Sequence, residues 1–169
     1  MISALLRCLV LLPAAGTAQD ADIDRRNPDG STPLQWAVYD GDVDKVRRLI
    51  DAGADVALAN NYGATAMSLA AEVADTELLD MLLDAGADAD SPNAEGQTAL
   101  MAVARSGNVE AARLLLEHGA DVAAREAWGG QTALMWAAAR RHPEMIALLL
   151  EHGADADARS IHRDYQRHV

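Results

Sequence analysis

The sequence predicts an all-α solenoid of four stacked helix-turn-helix units. Three observations carry that prediction. Thr32-Pro33-Leu34, Thr65-Ala66-Met67, Thr98-Ala99-Leu100 and Thr132-Ala133-Leu134 each open a segment. Gly53-Ala54-Asp55, Gly86-Ala87-Asp88, Gly119-Ala120-Asp121 and Gly153-Ala154-Asp155 each close one, and both sets recur at intervals of 33, 33 and 34 residues. At such a period each unit buries its apolar face only against its neighbours. Half of the 169 residues are hydrophobic, yet 4% are aromatic and there is no Phe. The core must then be Ala, Leu, Val, Ile and Met, which suits short, closely packed helices.

Residues 1–18 stand apart from the repeated segments. Met1 to Leu12 is apolar except for Ser3, Arg7 and Cys8. Pro13 breaks the run, and Ala14-Ala15-Gly16-Thr17-Ala18 precedes the first acidic residue, Asp20. A short apolar stretch, a helix breaker and small residues outline a secretory signal peptide, too short to span a membrane. Arg7 lies inside the apolar run rather than before it, and the rival readings are an N-terminal capping helix or a start codon upstream of this sequence. Cleavage near Gln19 would place the mature chain in the periplasm or outside the cell, against a cytoplasmic alternative. Cys8 is the only cysteine, so the mature chain would hold no disulfide and no thiol chemistry. Residues 19–26 form an extension in which Asp20-Ala21-Asp22-Ile23 lies 33 residues before Gly53-Ala54-Asp55-Val56. It reads as the tail of a missing or decayed earlier unit.

The four units are 27–59, 60–92, 93–125 and 126–160. The third shows the grammar. Thr98 is placed to cap a first helix with its hydroxyl. Leu100, Ala102, Val103 and Ala104 keep that helix slim, and Gly107 ends it in a left-handed conformation. Asn108 caps a second helix, in which Val109, Ala112, Leu115 and Leu116 recur at helical spacing. Gly119 closes it, and Ala120-Asp121-Val122 leads out to the next turn. Asp42 and Asp75 start the second helices of the first two units, and Pro143 takes the first position in the fourth. Ala74 and Arg141 stand where Gly107 does. A left-handed residue other than glycine costs roughly 1 kcal/mol, so reshaped turns are expected there. The extra residue before Thr132 should make the turn around Trp128 bulge. The polar tail 161–169 is too short for another unit. Met145, Ile146, Leu148, Leu149 and Leu150 leave the last unit as apolar as the inner ones, which predicts an uncapped end with exposed apolar surface, frayed helices or self-association, as in a fragment of a longer array.

Composition narrows function. The net charge is −12, which repels phosphate backbones and argues against nucleic acid or an anionic membrane as partner. Asn27 to Pro92 carries 13 acidic against 3 basic residues, and Asn93 to Ser160 carries 9 against 6; the acidic first half reads as a solvated, solubilising surface, with attraction of a cationic partner as the sharper alternative. The chain has no nucleophile elbow, phosphate loop, paired Cys or zinc-protease helix, and no cofactor, metal or catalytic residue is expected. His118 and His152 hold one repeat position. They are read as helix C-terminal partners of backbone carbonyls rather than as ligands of a shared metal. Trp36 and Trp136 are read as filling gaps between units. Trp128, beside two glycines, and Tyr62 are candidate anchors at turn tips, with sideways packing on neighbouring turns as the rival.

Asp29-Gly30-Ser31-Thr32-Pro33-Leu34-Gln35-Trp36-Ala37 and Leu114-Leu115-Leu116-Glu117-His118-Gly119-Ala120-Asp121-Val122 resemble the ankyrin repeat, over about Asn27 to Ser160. The stretch Trp128-Gly129-Gly130-Gln131-Thr132-Ala133-Leu134-Met135-Trp136-Ala137-Ala138 resembles ankyrin proteins that bacteria export. The consensus His is replaced by Gln35, Ser68, Met101 and Met135, so its hydrogen bonding between units is expected to be absent or replaced. The resemblance implies a non-catalytic module that binds another protein. Its contact positions would be Ser31, Tyr39 and Asp40; Asn61, Tyr62, Glu72 and Val73; Glu95, Gln97, Arg105 and Ser106; Trp128, Gln131 and Arg140. Along the first-helix ends the charge changes sign, from Asp40 and Glu72 to Arg105 and Arg140. That predicts a bipolar groove which turns a partner's cationic end toward the first units. The alternatives are an N-terminal piece of a larger protein active elsewhere, or a self-associating structural repeat.

Overall fold

The computed structural model describes residues 23–160. The leader reading of 1–18, half of the 19–26 extension and the 161–169 tail lie outside the described residues. Eight short helices come in four pairs: α1 (Pro33–Tyr39) with α2 (Val43–Asp51), α3 (Ala66–Val73) with α4 (Thr76–Asp84), α5 (Ala99–Ser106) with α6 (Val109–Glu117), and α7 (Ala133–Arg140) with α8 (Pro143–Glu151). The first helices pack in one row, the second helices in another, and each first helix also packs on its own second helix. No strand occurs among the described residues. Both rows interlock through one repeat position after another. Ala37, Ala70, Val103 and Ala137 are wholly buried, and so are Leu82, Leu115 and Leu149 in the outer row. Small residues on the seam let neighbouring helices approach closely, so every methyl group finds partners.

Capping fixes where each helix starts. Thr32, Thr65 and Thr132 accept from the backbone N–H three residues on, and Thr32 and Thr65 complete capping boxes with Gln35 and Ser68. Thr98 departs from the expectation. It stands at the N-cap in extended conformation but makes no cap bond, and its hydroxyl is buried with no hydrogen-bond partner. Asp42, Asp75 and Asn108 cap the second helices as anticipated. The consensus-His position varies from unit to unit. Gln35 Nε2 donates to Leu58 O at 2.7 Å and to Ala64 O at 2.9 Å, which ties the first unit to the second. Ser68 bonds only within its own cap, and Met101 and Met135 have no polar group to offer.

The turns were expected to be reshaped at Ala74 and Arg141, and they are not. Both residues take the left-handed conformation, with φ of 50° and 61°, as Gly107 does at 82°. Inter-unit ties at this corner help hold it. Asn108 Nδ2 donates to Ala74 O at 2.9 Å, and the ring Nε2 of His142 lies 3.2 Å from Arg105 O. His142 occupies the N-cap of α8 without capping it. Its ring lies over Gly107 instead, where a Cβ would stand 2.7 Å from the imidazole.

The extra residue before Thr132 is absorbed inside one turn. Asn60 and Asn93 each close their turns by accepting two backbone N–H bonds through Oδ1. In the longer fourth turn Glu126, 6% exposed, does this with a longer side chain. It accepts from Trp128 N and Gly129 N at 2.6 Å and from Gln131 N at 3.0 Å.

In the last unit α8 runs nine residues, as α6 does. Met145, Leu148 and Leu149 turn inward and are buried. Apolar surface does remain. Leu134 and Met135 are half-buried where their counterparts Leu100 and Met101 are covered, and Leu150 is 42% exposed.

Candidate functional site

The row of first helices and the turns before them form one continuous inner surface. Its floor runs through a single repeat position: Trp36, Leu69, Ala102 and Trp136. Trp136 is half-buried and packed on the core, as expected of a residue filling a gap. Its indole Nε1 has no hydrogen-bond partner. Trp36 does not fill a gap. It is 41% exposed, and one helical turn on lies Tyr39, 65% exposed, with ring centroids 5.8 Å apart and planes at 80°. The edge-to-face arrangement is a favoured aromatic geometry.

These two rings border a hollow of about 240 Å³ between α1 and α3, which Leu69 also lines. Asp29, Ser31, Gln35 and Asn60 supply its polar side. The Ser31 backbone N–H donates to Asp29 Oδ1 at 3.0 Å and its hydroxyl to Oδ2 at 2.9 Å. Those two donors, the backbone N–H first, hold the Asp29 carboxyl below the usual carboxylate range. On the opposite side a larger space of about 540 Å³ lies between α4 and α6, lined mainly by charged groups such as Glu77, Asp80, Arg113 and Glu117.

The anticipated contact residues divide by exposure. Tyr39, Asp40, Asn61, Tyr62, Glu72, Val73, Glu95, Ser106, Trp128 and Arg140 are exposed, and Gln97, Arg105 and Gln131 are half-buried. Ser31 departs from the set: at 6% exposure it orients Asp29 rather than meeting solvent. At the turn tips Tyr62 is 71% exposed and Trp128 64%, so neither is packed away against a neighbouring turn. The bipolar strip is altered at its centre. Arg105 Nη2 lies 2.6 Å from Glu72 Oε2, and the pair neutralises itself across the boundary between units two and three. Asp40 and Arg140 remain at the two ends without an ion pair among the described residues.

Asp29 and Trp36 were not among the expected contacts. For Trp36 the signal was present: an aromatic pair three residues apart shares one helix face. For Asp29 there was none, because its role depends on how a turn folds toward the helix. His152 follows the expectation for helix C-termini, its Nδ1 lying 2.9 Å from Leu148 O. His118 instead lies near Asp80 and Asp84, donor atoms within 4.8 Å of one another, and all three are exposed. No described helix is long and apolar enough to cross a membrane.

A family model for ankyrin repeats, built from three copies, matches residues 2–93 and 68–160. The first match reaches back through the segment read as a leader. No curated protein matches the chain.

Proposed function

The chain belongs to the ankyrin-repeat family, whose repeats are typically non-catalytic modules for protein interaction, and from that premise we propose that it binds a protein partner on its concave inner surface and performs no catalysis. One observation carries the reading. Of the five aromatic residues described, four (Trp36, Tyr39, Tyr62 and Trp128) are exposed on the first helix and the turns, while the core is aliphatic. Exposed large rings on a rigid scaffold are the usual anchors of an interface. Charge orients the complex, with the cationic end of the partner toward Asp40. The Glu72–Arg105 pair leaves the ends of the strip to do the steering. Export is part of the proposal, supported by the outline of residues 1–18. Exported protein would begin near Gln19, and Met1 at the N-terminus of protein recovered from cells would remove export from the reading.

The test begins with a pull-down from periplasmic extract, comparing wild type with Asp40→Lys/Arg140→Glu. Surface plasmon resonance on the captured partner then separates the roles. Asp40→Lys should slow association several-fold and flatten its salt dependence, and Tyr62→Ala or Trp128→Ala should mainly speed dissociation. If all these variants fold and leave both rates unchanged, the inner surface is not where the partner binds. A second reading, self-association through the last unit, is favoured by the exposed Leu150 and the half-buried Leu134 and Met135. It requires a molecular mass that rises with concentration and falls back in Leu150→Glu.

A further inference from the structure

We infer that the hollow bordered by Trp36, Tyr39 and Asp29 is a recognition pocket for one cationic side chain, a lysine or an arginine, presented by the partner. The inference rests on the concave surface being the binding face, and it says what the acidic end of that face reads. Size is the first argument. Pockets for drug-sized ligands run to about 300–1,000 Å³, so a hollow of about 240 Å³ suits a single long side chain. Chemistry is the second. The exposed rings of Trp36 and Tyr39 line the hollow, and aromatic rings attract a cation, while Leu69 gives the aliphatic stem an apolar wall.

Asp29 supplies the counter-charge. Each of its oxygens accepts one bond from Ser31. A carboxylate offers about four acceptor sites, so it keeps capacity for an ammonium or guanidinium. No Lys or Arg lines the hollow, and residues 27–92 around it carry 13 acidic against 3 basic residues. An anionic group would be repelled there, and an aliphatic one would gain nothing from the carboxylate. The combination occurs once. The residues at the Tyr39 position in later units are Glu72, Arg105 and Ala139, and those at the Asp29 position in the next two are Tyr62 and Glu95. Only the first unit joins two rings to an acid.

The test is an NMR titration of ¹⁵N-labelled protein with Ac-Gly-Ser-Arg-Gly-Ser-Gly-NH₂, with the same peptide carrying lysine, and with its neutral citrulline counterpart. The Trp36 indole N–H is assigned through Trp36→Phe. Expected are saturable shifts of that resonance with the arginine and lysine peptides, at least tenfold weaker binding of citrulline, and an unmoved Trp128 indole. Asp29→Asn, whose side-chain oxygen still accepts from Ser31 N–H, should weaken the arginine peptide at least tenfold while the protein stays folded by circular dichroism. Equal binding of arginine and citrulline, shifts spread over all three indoles, or no effect of Asp29→Asn would overturn the pocket. The outcome is separable from that of the groove. If the peptides fail while Asp40→Lys and Tyr62→Ala still alter the partner's rates, the pocket alone is wrong. If the peptides bind but those variants do nothing to the partner, the groove is wrong as the partner's site.

Discussion

Single residues carry the sharpest energetic contrasts in this molecule. Thr98 and Thr65 hold the same repeat position, yet the Thr65 hydroxyl caps a helix and that of Thr98 is buried without a partner. Removing an unsatisfied buried hydroxyl is close to neutral or stabilising, whereas removing a working cap costs about 1 kcal/mol. Thr98→Val should therefore keep or raise the urea midpoint, and Thr65→Val should lower it. Ala74 and Arg141 give a second contrast. A left-handed side chain costs roughly 1–2 kcal/mol, and glycine costs about 0.5–1 kcal/mol in chain entropy. Ala74→Gly should thus stabilise by about 0.5–1 kcal/mol in equilibrium unfolding. Gly107→Ala should do the opposite and by more, since its Cβ would meet the His142 ring. Most of this was hidden from the sequence, which shows a threonine at each start but not which hydroxyl finds an N–H.

At the scale of helices and turns the sequence was most legible. Threonine starts, Asp or Asn second caps, Pro143 and the closing glycines placed the helices, because each is a local device that works within one turn of chain. What could not be read was anything formed between units. Examples are the Glu72–Arg105 pair across 33 positions, the Gln35 tie and the exposure of Trp36. These depend on how neighbours stack, and the pattern within a unit is silent about it. The fourth turn supplies a test. Glu126→Asn alone should destabilise, because the shorter side chain no longer reaches the N–H groups of Trp128, Gly129 and Gln131, a loss of about 1–3 kcal/mol. Combining it with deletion of Gly129 restores the spacing of the Asn60 and Asn93 turns, and thermal denaturation should recover part of the lost midpoint.

Across the described residues the row has two unlike ends, and its stability should be graded accordingly. An inner unit is covered on both sides, whereas the last leaves Leu134, Met135 and Leu150 partly open. In a nearest-neighbour array such a unit opens first. Amide hydrogen exchange should then find the strongest protection in α3 to α6 and weaker protection in α7 and α8. The Glu126 turn has a further consequence at this scale. A stacked array resembles a ruler, and one surplus mark should shift every later mark against its neighbour. Here a side chain one methylene longer takes up the surplus where it arises, and α7 still seats on α5 and α8 on α6. Counting along the chain and position along the stack are therefore uncoupled at this fingertip. The tip that carries Trp128 is one residue longer than its counterparts while the helices beneath it keep step.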